Sequence, residues 1–555
     1  MRMSTDENRD EALALETIAA AAEAGMTVFD TARAYGGNER PLARALRSCG
    51  ARDRARIVTK GGMTRTAGAW IPDGRAKAIR ADCEGSLVAL EGLAIDLYLI
   101  HAPDPRTPWR TSVRALARLF DEGLVRRVGL ANVNRRQLDE ALELAPVAAV
   151  QVALNPFDDR AVRGGVVERC TEEGIAVIAH SPLGGPRRAG GLARNQALAS
   201  VAEARGASPA EVALAWLLDL SPAVVAIPGA GRPETARSSA RAATLRLDAR
   251  ERAAVARGFG RTRRPRPGRA GGGAEVVVVM GVPGAGKSRI AQEYVSRGYV
   301  RLNRDARGGS LRDLADALDE ALSAGARRIV LDNTYLTRAT RSYLVESAAR
   351  HGARARCVWL DTPLAQAQVN MVERMLERFG SLPTPEELRR LARREPGLLA
   401  PTSQMRALRE LEPPSLDEGW GSVEQVPFER TPSTQGVTGV FVAAHALRQP
   451  GWKRAIEHGD VRAPHLVFDW RPGGTADVLA ADVGRLSSEV SGPVESAVCP
   501  HPSGPPTCWC RPPLPGLPLV FARSHTVDPA RSVLVGTAPA HRTLAKTLAA
   551  RYVDV

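Results

Sequence analysis

Residues 275–305 read EVVVVMGVPGAGKSRIAQEYVSRGYVRLNRD, and this stretch decides the fold of the middle of the chain. The apolar run at 276–280 predicts a buried strand, and the segment that starts at Lys287 predicts a helix. The turn between them matches the phosphate-binding pattern G-x-x-x-x-G-K-[ST]. Backbone N–H groups of such a turn and a helix N-terminus together bind an anionic triphosphate. The sequence therefore predicts an ATP site that contains Gly281, Gly284, Gly286, Lys287 and Ser288.

The residues around this turn indicate phosphoryl transfer. Lys287 is expected to contact the β- and γ-phosphates, and Ser288 to bind the Mg²⁺ that bridges them. Asp305 ends a second predicted strand and is placed to accept the proton of an attacking hydroxyl. Arg374 and Arg378 lie one helical turn apart and are expected to reach over the γ-phosphate.

Length and composition bound the remaining possibilities. A chain of 555 residues with 44% hydrophobic residues predicts three or four domains. The net charge of +15 suits a nucleic-acid partner, but most of the 76 basic residues are arginine, so a solvated basic surface is the competing interpretation. Seven cysteines and no apolar run of membrane-spanning length predict a cytoplasmic, soluble protein without a disulfide framework or a membrane partner.

Strand-like runs alternate with helical stretches in residues 1–258. The runs lie at 27–30, 56–60, 95–101, 125–130, 147–152, 175–179 and 224–227. Seven such units in about 240 residues predict a (β/α)8 TIM barrel, which carries its chemistry at the carboxyl ends of its strands. Asp30, Lys60, His101, Asn132 and Gln151 each fall at such a predicted end.

These residues resemble the aldo-keto reductase family. The matching pieces are 29–36 (FDTARAYG), Asn38-Glu39, Thr59-Lys60, Ile100-His101, 129–132 (GLAN), Gln151 with Asn155, 181–184 (SPLG) and 227–234 (IPGAGRPE). The resemblance implies reduction of a small carbonyl substrate by NADP(H). Ala131 and Ser239 depart from the family pattern, and the family's first strand precedes the segment aligned with residues 1–4, so we expect a barrel with a truncated first strand.

The resemblance assigns a role to each polar position. Tyr35 is expected to be the general acid, with its pKa lowered by Lys60, while Asp30 holds Lys60 and His101 orients the carbonyl. The residues expected to bind the cofactor are Asn132, Gln151, Ser181 and Arg232, the last at the 2′-phosphate. A barrel retained only as a scaffold is the alternative interpretation.

Residues 259–274 combine arginine, proline and glycine without apolar periodicity, which predicts an extended linker. Residues 275–432 resemble the kinase module of polynucleotide kinase-phosphatases. The matching pieces are 281–288, 298–300 with 303–305, 331–334 (LDNT), Asn370 with Arg374, 413–420 (PPSLDEGW) and 426–428 (VPF). The resemblance implies a P-loop α/β kinase with a parallel sheet, which transfers the γ-phosphoryl group to 5′-hydroxyl ends of DNA or RNA with Asp305 as base. A small-molecule kinase remains the alternative, because the loop does not select the acceptor.

Residues 433–555 place Cys499, His501, Cys508 and Cys510 within twelve positions, a spacing typical of a closed Zn²⁺ site. The stretch resembles the zinc loop of haloacid-dehalogenase (HAD) phosphatases, which implies a small α/β domain. Ala443 and His445 stand where that family has two catalytic aspartates, Pro512 where it has lysine and Thr537 where it has a Mg²⁺-binding aspartate. Because phosphoryl transfer through an aspartyl intermediate needs the carboxylate, we expect this domain to be catalytically silent.

The sequence thus predicts a fusion of an NADP(H)-dependent reductase, an ATP- and Mg²⁺-dependent polynucleotide 5′-hydroxyl kinase and a Zn²⁺-bearing, silent phosphatase-like domain. The alternative is mainly an NADPH-dependent carbonyl oxidoreductase, carrying a small-molecule kinase or a regulatory ATP-binding module. The oligomeric state is left open.

Overall fold

The computed structural model describes residues 10–66, 69–259, 273–392, 395, 397–428 and 436–555. The chain divides into one unit containing the N-terminal barrel and a second unit containing residues 266–336 and 343–555. Most of the predicted linker, residues 260–272, lies outside the described residues, as do residues 1–4, on which the expectation of a truncated first strand falls. No helix in the described ranges is long and apolar enough to cross a membrane.

The described part of the N-terminal unit contains nine strands. They are β1 (Val28–Asp30), β2 (Arg56–Gly61), β3 (Met63–Thr66), β4 (Ala69–Pro72), β5 (Leu97–Ile100), β6 (Val128–Ala131), β7 (Val147–Ala153), β8 (Ala176–His180) and β9 (Val224–Ile227). Seven of them form one parallel sheet in the order β1-β2-β5-β6-β7-β8-β9, and β3 and β4 form a separate antiparallel hairpin. All seven strands expected from the sequence are present, and an eighth parallel strand is not among the residues described.

Helices follow the strands of this sheet and cover its outer face. They are α1 (Glu11–Glu23), α2 (Glu39–Ser48), α3 (Ala76–Ala89), α4 (Trp109–Asp121), α5 (Arg135–Leu142), α6 (Arg160–Arg163), α7 (Val166–Glu172), α8 (Pro186–Ala189), α9 (Gln196–Arg205), α10 (Pro209–Leu218), α11 (Pro233–Arg241) and α12 (Ala249–Gly258). Their starts are encoded locally. Ser208 and Glu211 form a capping box at the start of α10, with proline at the first helical position.

The sheet curves into a nearly closed barrel with a packed interior. Inside it lies a small apolar cluster made of Val58, Leu97, Leu99, Ala131, Ala149 and Ile178. A larger cluster fills the space between the sheet and the helices. The edge strands β1 and β9 are not paired with each other, but α1 packs against α11 on the outside of that gap. Helix packing therefore completes the wall where backbone pairing does not.

Residues 273–428 form a parallel sheet flanked by helices. The strands are β10 (Glu275–Met280), β11 (Val300–Leu302), β12 (Arg328–Asp332), β13 (Arg354–Asp361) and β14 (Ser422–Pro427), in the order β11-β12-β10-β13-β14. The helices are α13 (Lys287–Ser296), α14 (Arg304–Arg307), α15 (Leu311–Ser323), α16 (Arg338–Arg350), α17 (Leu364–Phe379), α18 (Pro385–Leu391) and α19 (Pro401–Glu410). The strand, turn and helix predicted around Lys287 are confirmed as β10, its turn and α13.

Residues 436–555 form a second five-stranded parallel sheet. Its strands are β15 (Val440–Ala443), β16 (His465–Trp470), β17 (Val494–Cys499), β18 (Val533–Gly536) and β19 (Arg551–Asp554), in the order β17-β16-β15-β18-β19. Its helices are α20 (Trp452–Ile456), α21 (Ala480–Ser487), α22 (Gly516–Ser524) and α23 (Pro539–Leu548). This is a small α/β domain, in which Cys499 ends β17 and Thr537 follows β18.

Candidate functional site

A buried ion pair lies at the carboxyl ends of β1 and β2. Lys60 is fully buried, and its Nζ donates hydrogen bonds to both carboxylate oxygens of Asp30, at 2.7 Å each. A third bond, of 2.8 Å, goes from Nζ to the carbonyl oxygen of Thr31. Burial lowers the pKa of Lys60 from its ordinary value, while the charge of Asp30 opposes this change. The ammonium group is thus fixed in place by three acceptors, which equals its number of hydrogens.

Two rings lie over this pair. The Nζ of Lys60 is 5.3 Å from the centre of the Tyr35 ring, and the rings of Tyr35 and His101 meet edge to face at 5.6 Å. Burial, and then the charge of Lys60, lower the pKa of His101 to about 3, so the imidazole is neutral near pH 7. The Nδ1 atom of His101 is buried and has no hydrogen-bond partner among the described residues.

The expectation that Lys60 lowers the pKa of Tyr35 is wrong. Burial, followed by the charge of Asp30, raises the pKa of the Tyr35 phenol above 10.0. The reason is that burial disfavours the charged phenolate, and the nearby Asp30 carboxylate adds a like charge. Tyr35 therefore keeps its proton at neutral pH, the form from which it can donate.

Asn132, Gln151 and Ser181 are brought close to this centre. Asn132 donates from Nδ2 to the carbonyl oxygen of His101 at 3.0 Å, and its Oδ1 lies 3.1 Å from His180 Nε2. Gln151 donates from Nε2 to Asp30 Oδ2 at 2.8 Å. Ser181 follows His180 with a positive φ of 51° and has its Oγ 3.3 Å from His180 Nδ1. All three join the network around Asp30 and His101. Arg232 is exposed at the N-cap of α11, at the end of the loop that follows β9.

The glycine-rich turn after β10 is shaped by close backbone contacts. A Cβ on Gly284 would lie 2.3 Å from the carbonyl oxygen of Ala367, and one on Gly281 would lie 2.9 Å from that of Leu360. Gly284 and Gly286 also have positive φ, which favours glycine. Gly286 is the N-cap of α13 and supplies no side-chain cap, so the first N–H groups of that helix face outward for a ligand.

Lys287 and Ser288 begin α13 at this turn. The Nζ of Lys287 donates to the carbonyl oxygens of Gly281 and Val282, at 3.0 and 2.8 Å. Burial, and then the charge of Arg374, lower the pKa of Lys287 to about 8, while Asp332 and Asp305 act in the opposite direction. Ser288 is exposed on the first turn of the helix. Burial and a second cation nearby both disfavour the charged Lys287 ammonium, so a bound anion would stabilise it.

The carbonyl oxygens on the other side of the turn are held by side chains. Asn370 of α17 donates to Gly284 at 2.8 Å, and Gln404 of α19 donates to Pro283 at 2.8 Å. Thr362 donates from Oγ1 to Ala285 at 3.2 Å. Two helices far along the chain therefore fix the outer side of the phosphate-binding turn.

The other residues expected to take part in phosphoryl transfer lie in different environments. Asp305 is exposed on α14, beside Arg304 at 3.7 Å. Asp332 is buried and makes a bidentate pair with Arg301, at 2.8 and 2.6 Å, which is the arginine pairing typical of a strand-end carboxylate. Arg374 is exposed, and its positive charge lowers the pKa of Lys287, whereas Arg378 forms an ion pair with Glu395. Of the two arginines expected over the γ-phosphate, only Arg374 influences the Lys287 site.

The predicted metal ligands form one compact cluster. The Sγ atoms of Cys499, Cys508 and Cys510 and a ring nitrogen of His501 all lie within 4.8 Å of one another. Cys510 Sγ is 3.3 Å from Cys499 Sγ and 3.2 Å from His501 Nδ1, and Cys499 and Cys508 are 3.7 Å apart. Four ligands about 2.3 Å from one Zn²⁺ at tetrahedral angles would stand about 3.7 Å apart. The side chains present fit such an ion.

The strand ends of the C-terminal sheet carry no carboxylate at the positions where the expected HAD pattern would place its catalytic aspartates. β15 ends at Ala443, and His445 follows it, while Thr537 follows β18. Asp469, in β16, accepts from Arg471 Nε at 2.8 Å and from the backbone N–H of Trp470. This is an ordinary strand-end carboxylate with an arginine partner.

Sequence reasoning missed Trp70 and Gln404. Trp70 stands on the β3–β4 hairpin, with its ring 5.9 Å from that of Tyr35 and 6.0 Å from that of His101, and it is 44% exposed. The available signal in the sequence was a tryptophan in the segment that follows the strand carrying Lys60. Gln404 gave no signal, because its contact with the turn joins residues 121 positions apart.

Two family models match the chain. The model of the aldo/keto reductase family matches residues 1–257, and a model described as an AAA domain matches residues 276–395. An aldo-keto reductase of Strobilurus tenacellus is 30% identical over 270 residues, which cover 42% of this chain and 78% of that protein. An uncharacterised oxidoreductase of Schizosaccharomyces pombe is 32% identical over 246 residues, which cover 44% of this chain and 78% of that protein.

Solved structures resemble the same part of the chain. The thermostable aldo-keto reductase Tm1743, solved with the inhibitor epalrestat, shares 31% identity with a TM-score of 0.40, over 46% of this chain and 90% of that one. An aldo-keto reductase from Klebsiella pneumoniae, solved with NADPH, shares 28% identity with a TM-score of 0.41, over 47% of this chain and 90% of that one.

Proposed function

This chain belongs, through residues 1–257, to the aldo/keto reductase family, and from that premise we propose that its barrel reduces small carbonyl compounds with NADP(H). The observation that carries the proposal is the buried pair of Lys60 and Asp30, with the rings of Tyr35 and His101 packed over it. A barrel kept only as a scaffold has no need for a largely buried charge pair, because such pairs are costly to desolvate.

Each side chain has a distinct part in this reaction. Tyr35 is protonated at neutral pH and donates its phenolic proton to the carbonyl oxygen of the substrate. His101 is neutral and orients that oxygen by a ring hydrogen bond. The Lys60 ammonium stabilises the phenolate that remains, and Asp30 keeps the ammonium charged and in place. NADPH, when bound, supplies the hydride that reaches the carbonyl carbon.

The residues available for this cofactor suit a nicotinamide. A carboxamide needs one acceptor and one donor, and Gln151 Oε1 and the second Nδ2 hydrogen of Asn132 can supply them. Ser181 is placed beside this amide pair, next to His180. The exposed guanidinium of Arg232, at the start of α11, suits the 2′-phosphate of NADP(H) in charge and in position at a helix N-terminus.

The experiment is NADPH consumption with a panel of small aldehydes and ketones. Tyr35→Phe should lower kcat at least about 100-fold while leaving NADPH affinity unchanged, because only the proton donor is removed. Tyr552→Phe removes a phenol from the C-terminal domain and is the matched control. Wild-type protein that binds NADPH but reduces no carbonyl compound would contradict the proposal.

We also propose a second activity, ATP- and Mg²⁺-dependent phosphoryl transfer by residues 275–432. Its support is the turn at 281–288, where Lys287 is folded onto loop carbonyl oxygens and uncapped helix N–H groups face outward. Lys287 would move onto the β- and γ-phosphates, and the Ser288 hydroxyl would hold Mg²⁺. Arg374 adds a second cation near this position.

For the acceptor we propose a 5′-hydroxyl end of DNA or RNA. Asp305 is exposed, so a large acceptor can reach it, and Arg304 and Arg307 stand beside it on α14. A carboxylate that receives a hydroxyl proton, flanked by cations that attract phosphates, suits a polynucleotide end better than a neutral small molecule. A small-molecule acceptor and a purely regulatory ATP site are the competing outcomes.

The test offers labelled ATP with either a 5′-hydroxyl oligonucleotide or a panel of small alcohols. Lys287→Met should abolish transfer and weaken ATP binding, whereas Asp305→Asn should abolish transfer and leave ATP binding intact. Asp316→Asn, on the neighbouring helix α15, is the matched control. Label on a small alcohol alone would reassign the acceptor, and ATP binding without transfer to either would leave a regulatory site.

For the C-terminal domain we propose one bound Zn²⁺, held by Cys499, His501, Cys508 and Cys510, and no phosphatase activity. The four side chains match the metal in type and separation. The strand ends lack the nucleophile, so phosphomonoesters and 3′-phosphorylated oligonucleotides should remain uncleaved. Metal analysis of the purified full chain and a phosphate-release assay test both statements.

A further inference from the structure

Helix α17 contacts both the phosphate-binding turn and the C-terminal domain. On the side of the phosphate-binding turn, Asn370 donates to the Gly284 carbonyl oxygen, and the charge of Arg374 reaches Lys287. Its buried residues Met375 and Leu376 belong to a single apolar core that also contains Phe441 of β15 and other residues of the C-terminal domain. The helix packs directly against α22 and α23 of that domain. The C-terminal domain therefore forms part of the support of the nucleotide site.

A second line of contact starts inside the metal cluster. Trp509 stands between Cys508 and Cys510, is 2% exposed, and donates from Nε1 to the carbonyl oxygen of Leu399 at 3.0 Å. Leu399 comes just before α19, the helix that carries Gln404. Gln404, in turn, holds the Pro283 carbonyl oxygen of the turn at 2.8 Å.

The loop that carries the metal cluster, residues 499–510, also makes a close contact at Gly516. A Cβ on Gly516 would lie 2.4 Å from the carbonyl oxygen of Trp509 and 2.7 Å from Leu382 Cδ1. Only a residue without a side chain allows α22, the metal loop and the segment after α17 to approach this closely. The position of Trp509 is therefore coupled to that of the segment at Leu382.

Hydrogen bonds also hold the metal loop in this position: Trp470 Nε1 donates to the carbonyl oxygen of His501 at 2.8 Å, and Arg511 Nη1 donates to that of Pro502 at 3.0 Å. Residues 502–505 are exposed, and the buried part of the loop consists of Cys499, Cys508 and Trp509. In a loop with so small an apolar core, the free energy of metal binding supplies much of the free energy of ordering. Loss of the metal would remove the link between Cys499 and the two cysteines on either side of Trp509.

We propose that Zn²⁺ at Cys499, His501, Cys508 and Cys510 positions the phosphate-binding turn, through Trp509 and α19 and through the core shared with α17, so that ATP affinity depends on the metal. The silent C-terminal domain thereby acts as a metal-dependent support of the kinase site. This inference rests on the proposed ATP and Zn²⁺ sites, and it adds a thermodynamic coupling between them.

The test uses the full chain and two binding measurements. Mg-ATP and NADPH affinities are measured by calorimetry on zinc-loaded protein and on protein stripped with a zinc-selective chelator, in excess Mg²⁺. Stripping should raise the Kd of ATP by about tenfold, a coupling of ordinary size, and leave the Kd of NADPH unchanged. Adding back Zn²⁺ should restore the ATP affinity.

Two variants separate support from metal binding. His501→Gln should reproduce the stripped state. Trp509→Phe keeps an aromatic ring and the metal ligands but removes the hydrogen bond from Nε1 to the Leu399 carbonyl oxygen. This variant should therefore bind Zn²⁺ at full stoichiometry and still bind ATP more weakly. Cys49→Ser, in the N-terminal unit, is the matched control and should change neither affinity.

The outcomes are decisive in each direction. Unchanged ATP affinity in stripped protein and in Trp509→Phe overturns the inference and leaves the proposed ATP site standing. Wild-type protein that does not bind ATP refutes the proposed kinase activity and this inference with it. Protein that binds no Zn²⁺ refutes the proposed Zn²⁺ site and overturns the inference, and it leaves the proposed kinase activity standing. If stripping also abolishes NADPH binding, the protein has unfolded, and Trp509→Phe decides the question.

Discussion

Lys60 Nζ meets both carboxylate oxygens of Asp30 at 2.7 Å, and the rings of Tyr35 and His101 lie beside this ion pair. Burial, and then the charge of Asp30, raise the pKa of Tyr35 above 10.0, and burial, followed by the charge of Lys60, lowers that of His101 to about 3. The centre is therefore expected to work with a neutral phenol and a neutral imidazole over one compensated ion pair.

Breaking the ion pair should destabilise the barrel strongly. Asp30→Asn leaves the Lys60 ammonium buried without its counter-ion, which costs about 3 to 5 kcal/mol of the free energy of unfolding. Asp30→Asn combined with Lys60→Met removes both charges and should recover part of that loss. Hydrogen exchange of barrel peptides in increasing urea measures the change in the N-terminal unit alone.

An exposed pair supplies the control for this measurement. Arg44 and Glu11 are also 2.7 Å apart, but their side chains are 61% and 48% exposed. Arg44→Met should therefore cost at most about 1 kcal/mol. Equal losses in Asp30→Asn and Arg44→Met would show that burial of the first pair carries no extra energy.

The pH dependence of reduction should lack the usual histidine step. The pKa of His101 is lowered from 6.5 to about 3, so the neutral imidazole persists as pH falls through 6.5 and is lost only near 3. We expect kcat/KM at about pH 5 to remain within about twofold of its value at about pH 7. An inflection near 6.5 that disappears in His101→Gln would contradict this assignment.

The same shift has a stability consequence of defined sign. Below 6.5 the unfolded chain binds a proton at His101 that the folded protein does not bind until about pH 3. Because the unfolded state then holds more protons, the free energy of unfolding of the barrel falls as pH decreases through this window. Unfolding of wild type and His101→Gln in urea at several pH values measures the difference in slope.

The sequence predicted these sites as far as local patterns reach. Asp30, Lys60 and His101 follow predictable strands, and Lys287 lies in a turn whose glycines are required locally by positive φ and close contacts. Gln404 and Trp509 were not predictable as supports, because their partners lie 121 and 110 positions away. The direction of the Tyr35 pKa shift was also missed, since it depends on how deeply the phenol is buried and how near Asp30 lies in three dimensions.

Trp70 is expected to form one wall of the carbonyl pocket. Its ring lies within 6.0 Å of those of Tyr35 and His101, and it is exposed enough to contact a substrate. Trp70→Ala should raise the KM for aromatic aldehydes about tenfold and change kcat little, because apolar contact is lost while the proton donor stays in place. Trp452→Ala, in the C-terminal domain, should change neither constant, and an equal fall in kcat would show that Trp70 positions the acid instead.

Two glycines of the phosphate-binding turn separate backbone strain from close packing. Gly284 and Gly286 have φ of 86° and 90°, so an alanine at either position costs roughly 1 to 2 kcal/mol of conformational strain. Only at Gly284 would the new Cβ also meet backbone, the Ala367 carbonyl oxygen of α17 at 2.3 Å, whereas nothing lies within 4 Å at Gly286.

Gly284→Ala should therefore destabilise residues 275–428 by at least about 1 kcal/mol more than Gly286→Ala, since the turn and α17 must separate. Both variants should bind ATP poorly. In Gly286→Ala the expected cause is the new Cβ, which would lie in the space that we propose the ATP phosphates occupy. Hydrogen exchange of peptides from β10 and α17 measures the stability, and calorimetry measures ATP affinity. Equal destabilisation by the two variants would mean that the turn does not depend on its contact with α17.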